Sequence, residues 1–104
     1  MPKYSVKILT PALNDIEKIA DYYLLTVGPQ SAEKITDKLL DAIDMLEEYP
    51  LAGTEHSDHV LQEQGYRKLI CSGYICVYRL IDQTIYIYRV VHGSTDYPQL
   101  FKDT

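Results

Sequence analysis

No run of about 18 apolar residues occurs, so no segment is expected to span a membrane. The first fifteen residues carry neither a long apolar stretch nor a small-residue cleavage site, and no secretory signal is expected from them. Only two cysteines occur, Cys71 and Cys76. They make neither a disulfide framework nor a zinc-finger spacing, so a reduced cytoplasmic protein is the simplest reading. There is no glycine-rich phosphate loop, and no nucleotide or other cofactor is expected. Repeats, linkers and low-complexity segments are absent as well.

Positive charge is scarce in the first part of the chain. Residues 1–65 hold five lysines against twelve carboxylates, a net of −7. Residues 66–104 hold Arg67, Lys68, Arg79, Arg89 and Lys102 against three aspartates, a net of +2. Every arginine lies in that second part, which is where a partner surface is expected. The overall charge of −5 argues against non-specific coating of nucleic acid.

The 104 residues are about one domain's worth, with 46% hydrophobic and 24% charged residues, a globular composition. Tyr4 to Leu9 alternates in polarity and predicts a strand. Thr10-Pro11 predicts an N-cap followed by proline at the first helical position, with Asp15 and Glu17 near the positive end of the helix dipole. Leu13, Ile16, Ile19, Ala20, Tyr23, Leu24 and Val27 form an apolar stripe, and Gly28-Pro29 ends the helix. A second helix, capped by Ser31, carries the stripe Ala32, Ile35, Leu39, Ala42, Leu46 and Tyr49, broadened by Ile43, and stops at Pro50. Such a short break predicts an antiparallel helical hairpin.

Residues 51–65 read as a polar loop, after which the period changes to two. Strands are predicted over 66–71, 74–81 and 84–92, with turns at Ser72-Gly73 and Asp82-Gln83 that force antiparallel hairpins. The tail from Gly93 reads as a short helix or a loose end. The predicted class is α+β, in two layers: strand–helix–helix, then a three-stranded antiparallel meander with the helical hairpin on one sheet face.

Parity sorts the meander into two faces. Arg67, Leu69, Cys71, Tyr74, Cys76, Tyr78, Leu80, Ile85, Ile87, Arg89 and Val91 share one, assigned to the helices because it is richer in aliphatics. Arg89 is out of place there and is expected either to reach out to solvent or to pair with a helix carboxylate, in a structural role. The opposite face holds Tyr66, Lys68, Ile70, Ile75, Val77, Arg79, Tyr86, Tyr88, Val90 and His92. Lys68, Arg79, Tyr86, Tyr88 and His92 make it an open, basic, aromatic surface suited to a partner. The same residue types also suit phosphates and bases.

Two other clusters read more plainly. Glu55-His56-Ser57-Asp58-His59 has two histidines in a polar loop without a cysteine, a poor metal signal, and its members read as solvated loop residues. His92, Ser94 and Asp96 read as a turn cluster, since a catalytic triad draws its members from separate elements. Cys71 and Cys76 read as small core hydrophobes.

In order and spacing, several segments resemble the RelE/ParE superfamily of toxins from type II toxin–antitoxin pairs. They are Tyr49-Pro50-Leu51-Ala52-Gly53 at the end of the second helix, Tyr66-Arg67-Lys68-Leu69, Ser72-Gly73-Tyr74, Val77-Tyr78-Arg79-Leu80, and Arg89-Val90-Val91-His92-Gly93 followed by Asp96. The resemblance covers nearly the whole chain. It implies a growth-inhibiting toxin of the plasmid-stabilisation type, neutralised by a cognate antitoxin that wraps it in a toxin–antitoxin hetero-oligomer; the meander edge and tyrosine-rich face also suit a second copy in a homodimer. RelE-like members cut messenger RNA on the ribosome with a basic sheet face and no metal, whereas ParE-like members poison DNA gyrase. Carried over position by position, Lys68 falls where a catalytic lysine lies. Ile75 replaces a phosphate-binding arginine, Thr95 stands where another arginine is expected, and Phe101 replaces a C-terminal tyrosine. The ParE-like branch, binding a protein target through Lys68, Arg79, Tyr86, Tyr88 and His92, is therefore the expected reading. An endoribonuclease using Lys68, Arg79 and His92 is the alternative, and a non-toxic binding module is a third.

Overall fold

In the structure, a computed structural model that describes residues 3–94 and 98, eight elements follow one another. Thr95, Asp96, Phe101 and most of the tail, read as a short helix or a loose end, lie outside the described residues. Strand β1 (Ser5–Ile8) leads into helix α1 (Thr10–Thr26), which is followed by helix α2 (Pro29–Met45). A short strand β2 (Thr54–Glu55) and a short helix α3 (His59–Glu63) come next. The meander is β3 (Arg67–Cys71), β4 (Tyr74–Ile81) and β5 (Thr84–His92).

Both helix starts fall earlier than the capping residues suggest. Leu9, still extended at φ −72° and ψ 157°, is the N-cap of α1, its carbonyl accepting from the Leu13 amide. Thr10 is thus the first helical residue rather than the cap. Gly28, at φ +146°, precedes Pro29, so proline's preset φ starts α2 and Ser31 sits inside the first turn. Of the predicted α1 stripe, Ile16 and Ile19 are buried with Ala12, whereas Leu13, Leu24 and Val27 are exposed. On α2, Ile35, Leu39, Ile43 and Leu46 are buried and Tyr49 is exposed.

The sheet has five strands in the order β1-β5-β4-β3-β2. Parallel pairing of Ser5 with Thr84 through Ile8 with Ile87 places the first strand against the last. The β3–β4 turn places Ser72 and Gly73 at φ +53° and +84°, the geometry a two-residue hairpin needs. The predicted pairs Ile70–Ile75 and Arg79–Tyr86 are present.

One prediction of parity fails, for a definite reason. Between Tyr78↔Ile87 and Val77↔Arg89 the ladder skips Tyr88, a β-bulge on β5. The extra residue reverses the faces of the residues beyond it. Val90 therefore joins the helix-side core, and Val91 packs on the opposite face with Val77. His92 turns to the helix side, where its ring meets Tyr74 edge-on at 5.6 Å. Before the bulge the assignment holds: Leu69, Tyr74, Cys76, Tyr78, Ile85 and Ile87 lie in the core under the helices.

The region 51–65 is not a bare loop. Its polar sequence hides β2, which pairs with β3 through Thr54↔Lys68, and α3, capped by Asp58 Oδ1 accepting from the amides of Val60 and Leu61. Leu61, fully buried, sits with Tyr66, Val77 and Val91 in a second small core, so part of the supposedly open sheet face is covered.

The Pro50–Gly53 segment is clamped from below. The Tyr78 hydroxyl, wholly buried, accepts from the Gly53 amide and donates to the Pro50 carbonyl, both at 3.0 Å. Arg67 Nη2 donates to the Gly53 carbonyl at 2.7 Å. A methyl group on Gly53 would lie 2.6 Å from the Lys68 carbonyl oxygen and 2.7 Å from the Tyr78 hydroxyl, which explains glycine here.

Candidate target-binding face

The exposed remainder of the sheet face is built by cross-strand rows. Lys7 on β1 pairs with Tyr86, which pairs with Arg79 on β4. The next row runs from Val77 to Lys68 and on to Thr54. Alternation on β4 places Arg79 on the same face as Val77, so Lys7, Arg79 and Lys68 share one surface. Among the predicted site residues, Lys68, Arg79, Tyr86 and Tyr88 are brought together here. His92 is not, because of the bulge.

Arg79 is held rather than free. Its guanidinium carbon lies 5.0 Å from the Tyr66 ring centroid and 5.9 Å from that of Tyr88. The two rings meet edge-on at 5.1 Å. A cation set against two ring faces loses little further entropy when a partner arrives, the preorganisation that favours binding. Burial pushes the Tyr88 phenol up, opposed by the neighbouring Arg79 charge. Tyr88 thus keeps its proton as a donor.

Lys68 Nζ donates to Ser57 Oγ at 3.2 Å, which ties β3 to the segment before α3. His56, in that segment, is buried at 2% exposure, contrary to the solvated reading. Its Nδ1 accepts from the Asp58 amide at 3.0 Å, and its own amide donates to the Tyr66 carbonyl. Burial and the Lys68 charge hold the imidazole pKa below its ordinary value, partly offset by Asp58. The rest of the cluster is also used locally: Asp58 caps α3, and His59 Nε2 lies 3.0 Å from Glu63 Oε1. Among the described residues no group of three or more ligand-type side chains could hold a metal ion.

Arg89 does pair with a helix carboxylate. Asp15 accepts from Arg89 Nε at 2.7 Å and Nη2 at 3.0 Å, and also from the Val90 amide at 2.9 Å. Since β1 ends at Ile8, Asp15 supplies the acceptor that the edge of β5 lacks beyond it. Asp15 therefore acts through this contact, not at the helix dipole. Cys76 is buried, and desolvation pushes its thiol up to about 12, as befits an inert core residue. Cys71 is only half-buried, its thiol donating to the Lys38 carbonyl at 3.5 Å.

Sequence reasoning missed Lys7 and His56 as members of this neighbourhood. The polar alternation Ser5–Lys7 against Val6–Ile8 contained the signal for Lys7, but only the β1–β5 pairing gives it a place. Nothing local marks His56 as buried.

The family described as the ParE toxin of type II toxin–antitoxin systems, parDE, matches residues 6–97. Among solved structures, the chromosomal ParDE toxin–antitoxin system from P. aeruginosa is similar at 22% identity and a TM-score of 0.73, over 86% of this chain and 96% of that one. The RelBE2 toxin–antitoxin complex from Mycobacterium tuberculosis is similar at 22% identity and a TM-score of 0.65, over 86% and 98% of the two chains. Both likenesses are of fold. No curated protein sequence matches the chain.

Proposed function

The chain belongs to the ParE toxin family of type II toxin–antitoxin systems, and we propose that it stops growth by gripping a protein target, DNA gyrase, with the sheet face centred on Arg79. It binds without turning over a substrate. The observation that carries this reading is the arrangement of that face: Arg79 set between the Tyr66 and Tyr88 rings, with Lys7 and Lys68 on the same surface. Lysine and arginine donate hydrogen bonds and accept none. RNA cleavage through a ribose 2′-hydroxyl also needs a proton acceptor beside the developing phosphorane charge. His92 lies on the helix side and His56 is buried, so neither histidine serves this face in that role. Ile75, where the resemblance places a phosphate-binding arginine, packs against the second core.

Its neutralising partner is an antitoxin protein. Leu25 and Val27 near the end of α1 are 83% and 67% exposed. Tyr49 and Leu51 beyond α2 are each 61% exposed. The 17 residues of α2 separate the two patches by roughly 25 Å at 1.5 Å per residue. An antitoxin covering both therefore lies extended along the hairpin, burying apolar side chains at each end.

The test is induction from a tight promoter with pulse labelling of DNA and protein synthesis within minutes, paired with a supercoiling assay on purified gyrase. Early loss of DNA synthesis and inhibited supercoiling are expected, both abolished by Lys68→Glu with Arg79→Glu. Full toxicity of that double variant removes the sheet face from the mechanism. Prompt loss of protein synthesis with cut message overturns the gyrase target in favour of the ribosome.

A further inference from the structure

On the helix side of the sheet, away from the Arg79 face, the tip of the β3–β4 hairpin meets the start of α2 across two adjoining hollows of about 360 and 230 Å³. Tyr23 and Ser72 line both, so they form one groove. The smaller hollow adds Ser31, Lys34 and Lys38, and the larger adds His92. Among the described residues no carboxylate lines either hollow, in a chain that carries fifteen of them against ten lysines and arginines.

Lys34 and Lys38 are one helical turn apart on α2, close enough to repel, and no ion pair engages either among the described residues. His92 Nδ1 accepts from the Ser94 amide at 3.2 Å and lies 2.8 Å from Ser94 Oγ. That leaves Nε2 as the ring's remaining donor. Burial and a hydrogen bond with Tyr23 push the Tyr74 phenol up to about 12, so it also stays protonated. The groove is thus furnished with donors and cations and holds no opposing acid. Its larger half has aromatic walls: the Tyr22 and Tyr23 rings meet edge-on at 5.6 Å, and Tyr74 meets His92 in the same way.

We propose that this groove binds a small phosphate monoester with an aromatic body, of the nucleoside monophosphate class, its phosphate on Lys34 and Lys38 and its ring against Tyr22. Side chains from three elements do here what a glycine-rich loop does elsewhere. The carboxylates Glu33, Asp37 and Asp41 on the remaining surface of α2 oppose a long polyanion but leave a small one unhindered.

The experiment is titration of the full chain with inorganic phosphate, adenosine and adenosine monophosphate, followed by amide chemical shifts. Saturable shifts at Ser31, Lys34, Ser72 and His92 are expected. The monophosphate should bind about tenfold or more tighter than adenosine, which lacks the charge-assisted contact, and than phosphate, which lacks the ring contact with Tyr22, since either contact is worth about that factor. The variant Lys34→Gln with Lys38→Gln should lose at least about tenfold in affinity while leaving shifts on the Arg79 face untouched. Shifts centred on Lys7, Lys68 and Arg79, equal binding of adenosine and its monophosphate, or unchanged affinity in the double variant would each overturn the assignment. Tighter binding of a single-stranded oligonucleotide at these residues than of the monophosphate overturns the small-ligand reading. The outcome is independent of the gyrase proposal, which concerns the opposite face.

Discussion

Changing Tyr78 to phenylalanine deletes one oxygen and tests the clamp beneath the Pro50–Gly53 segment. The hydroxyl is wholly buried and makes two bonds, one from the Gly53 amide and one to the Pro50 carbonyl. With the oxygen gone, the buried Gly53 amide has lost this acceptor, and leaving a buried donor unsatisfied costs about 1–3 kcal/mol. The Pro50 carbonyl, nearer the surface, recovers part of its loss from water. Phenylalanine keeps the ring packing, so no cavity larger than the oxygen is left. The expected destabilisation is about 2–3 kcal/mol, a fall in Tm on the order of 10–20 °C for a domain of this size. Gly53→Ala should cost at least as much, because its methyl meets both the hydroxyl and the Lys68 carbonyl oxygen. In the double variant the two costs should add to clearly less than their sum, since the methyl has already displaced the hydroxyl. Chemical denaturation of the four proteins measures this cycle. A Tyr78→Phe variant within about 0.5 kcal/mol of the parent, or full additivity with Gly53→Ala, refutes the reasoning.

Asp15→Ala should lower stability by about 2 kcal/mol, since it strips two contacts from Arg89 and one from the Val90 amide, discounted because the Arg89 side chain is 28% exposed; thermal melts check it. Because His56 has its folded pKa lowered, its stabilising contribution is complete above about pH 6.5 and is lost as pH falls below that value toward the folded pKa. Melting from pH 7.5 to 5 should therefore show a steeper decline for the parent than for His56→Gln. Leu25→Asp and Leu51→Asp, at exposed positions, should leave Tm nearly unchanged but weaken antitoxin binding about tenfold or more by titration calorimetry. If neither changes affinity, the antitoxin does not run along the hairpin.

Helices, meander and pairing register were legible because each rests on a local repeat: 3.6 for Ile35, Leu39, Ile43 and Leu46, two for β3 to β5, and a two-residue turn at Ser72-Gly73. The partnership of Arg89 was legible only in part: a charge on an apolar face either reaches solvent or finds a counter-charge, and Asp15 supplies the second. The features that escaped have no local repeat. The bulge at Tyr88 costs one residue in an otherwise regular alternation, and it sends His92 to the wrong side of any parity count. Strand β2 has two residues and helix α3 five, too few to show a period, and α3 is held by Asp58 and by the burial of Leu61. The place of Lys7 depends on a pairing across the length of the chain.

That pairing also sets a timetable. Strand β5 is the last made of the five and lies between β1 and β4, so β1 has no neighbour in the sheet until residues 84–92 are synthesised. Tyr86 and Tyr88 arrive with that strand, and Arg79 gains its second ring and Lys7 its neighbour only then. On the proposed reading of this face, a partially translated chain is thus an unarmed one. Contacts of such wide sequence separation also form late and slowly. If the Arg79 face is the gripping surface proposed above, an antitoxin present during synthesis would reach each chain before that face is complete.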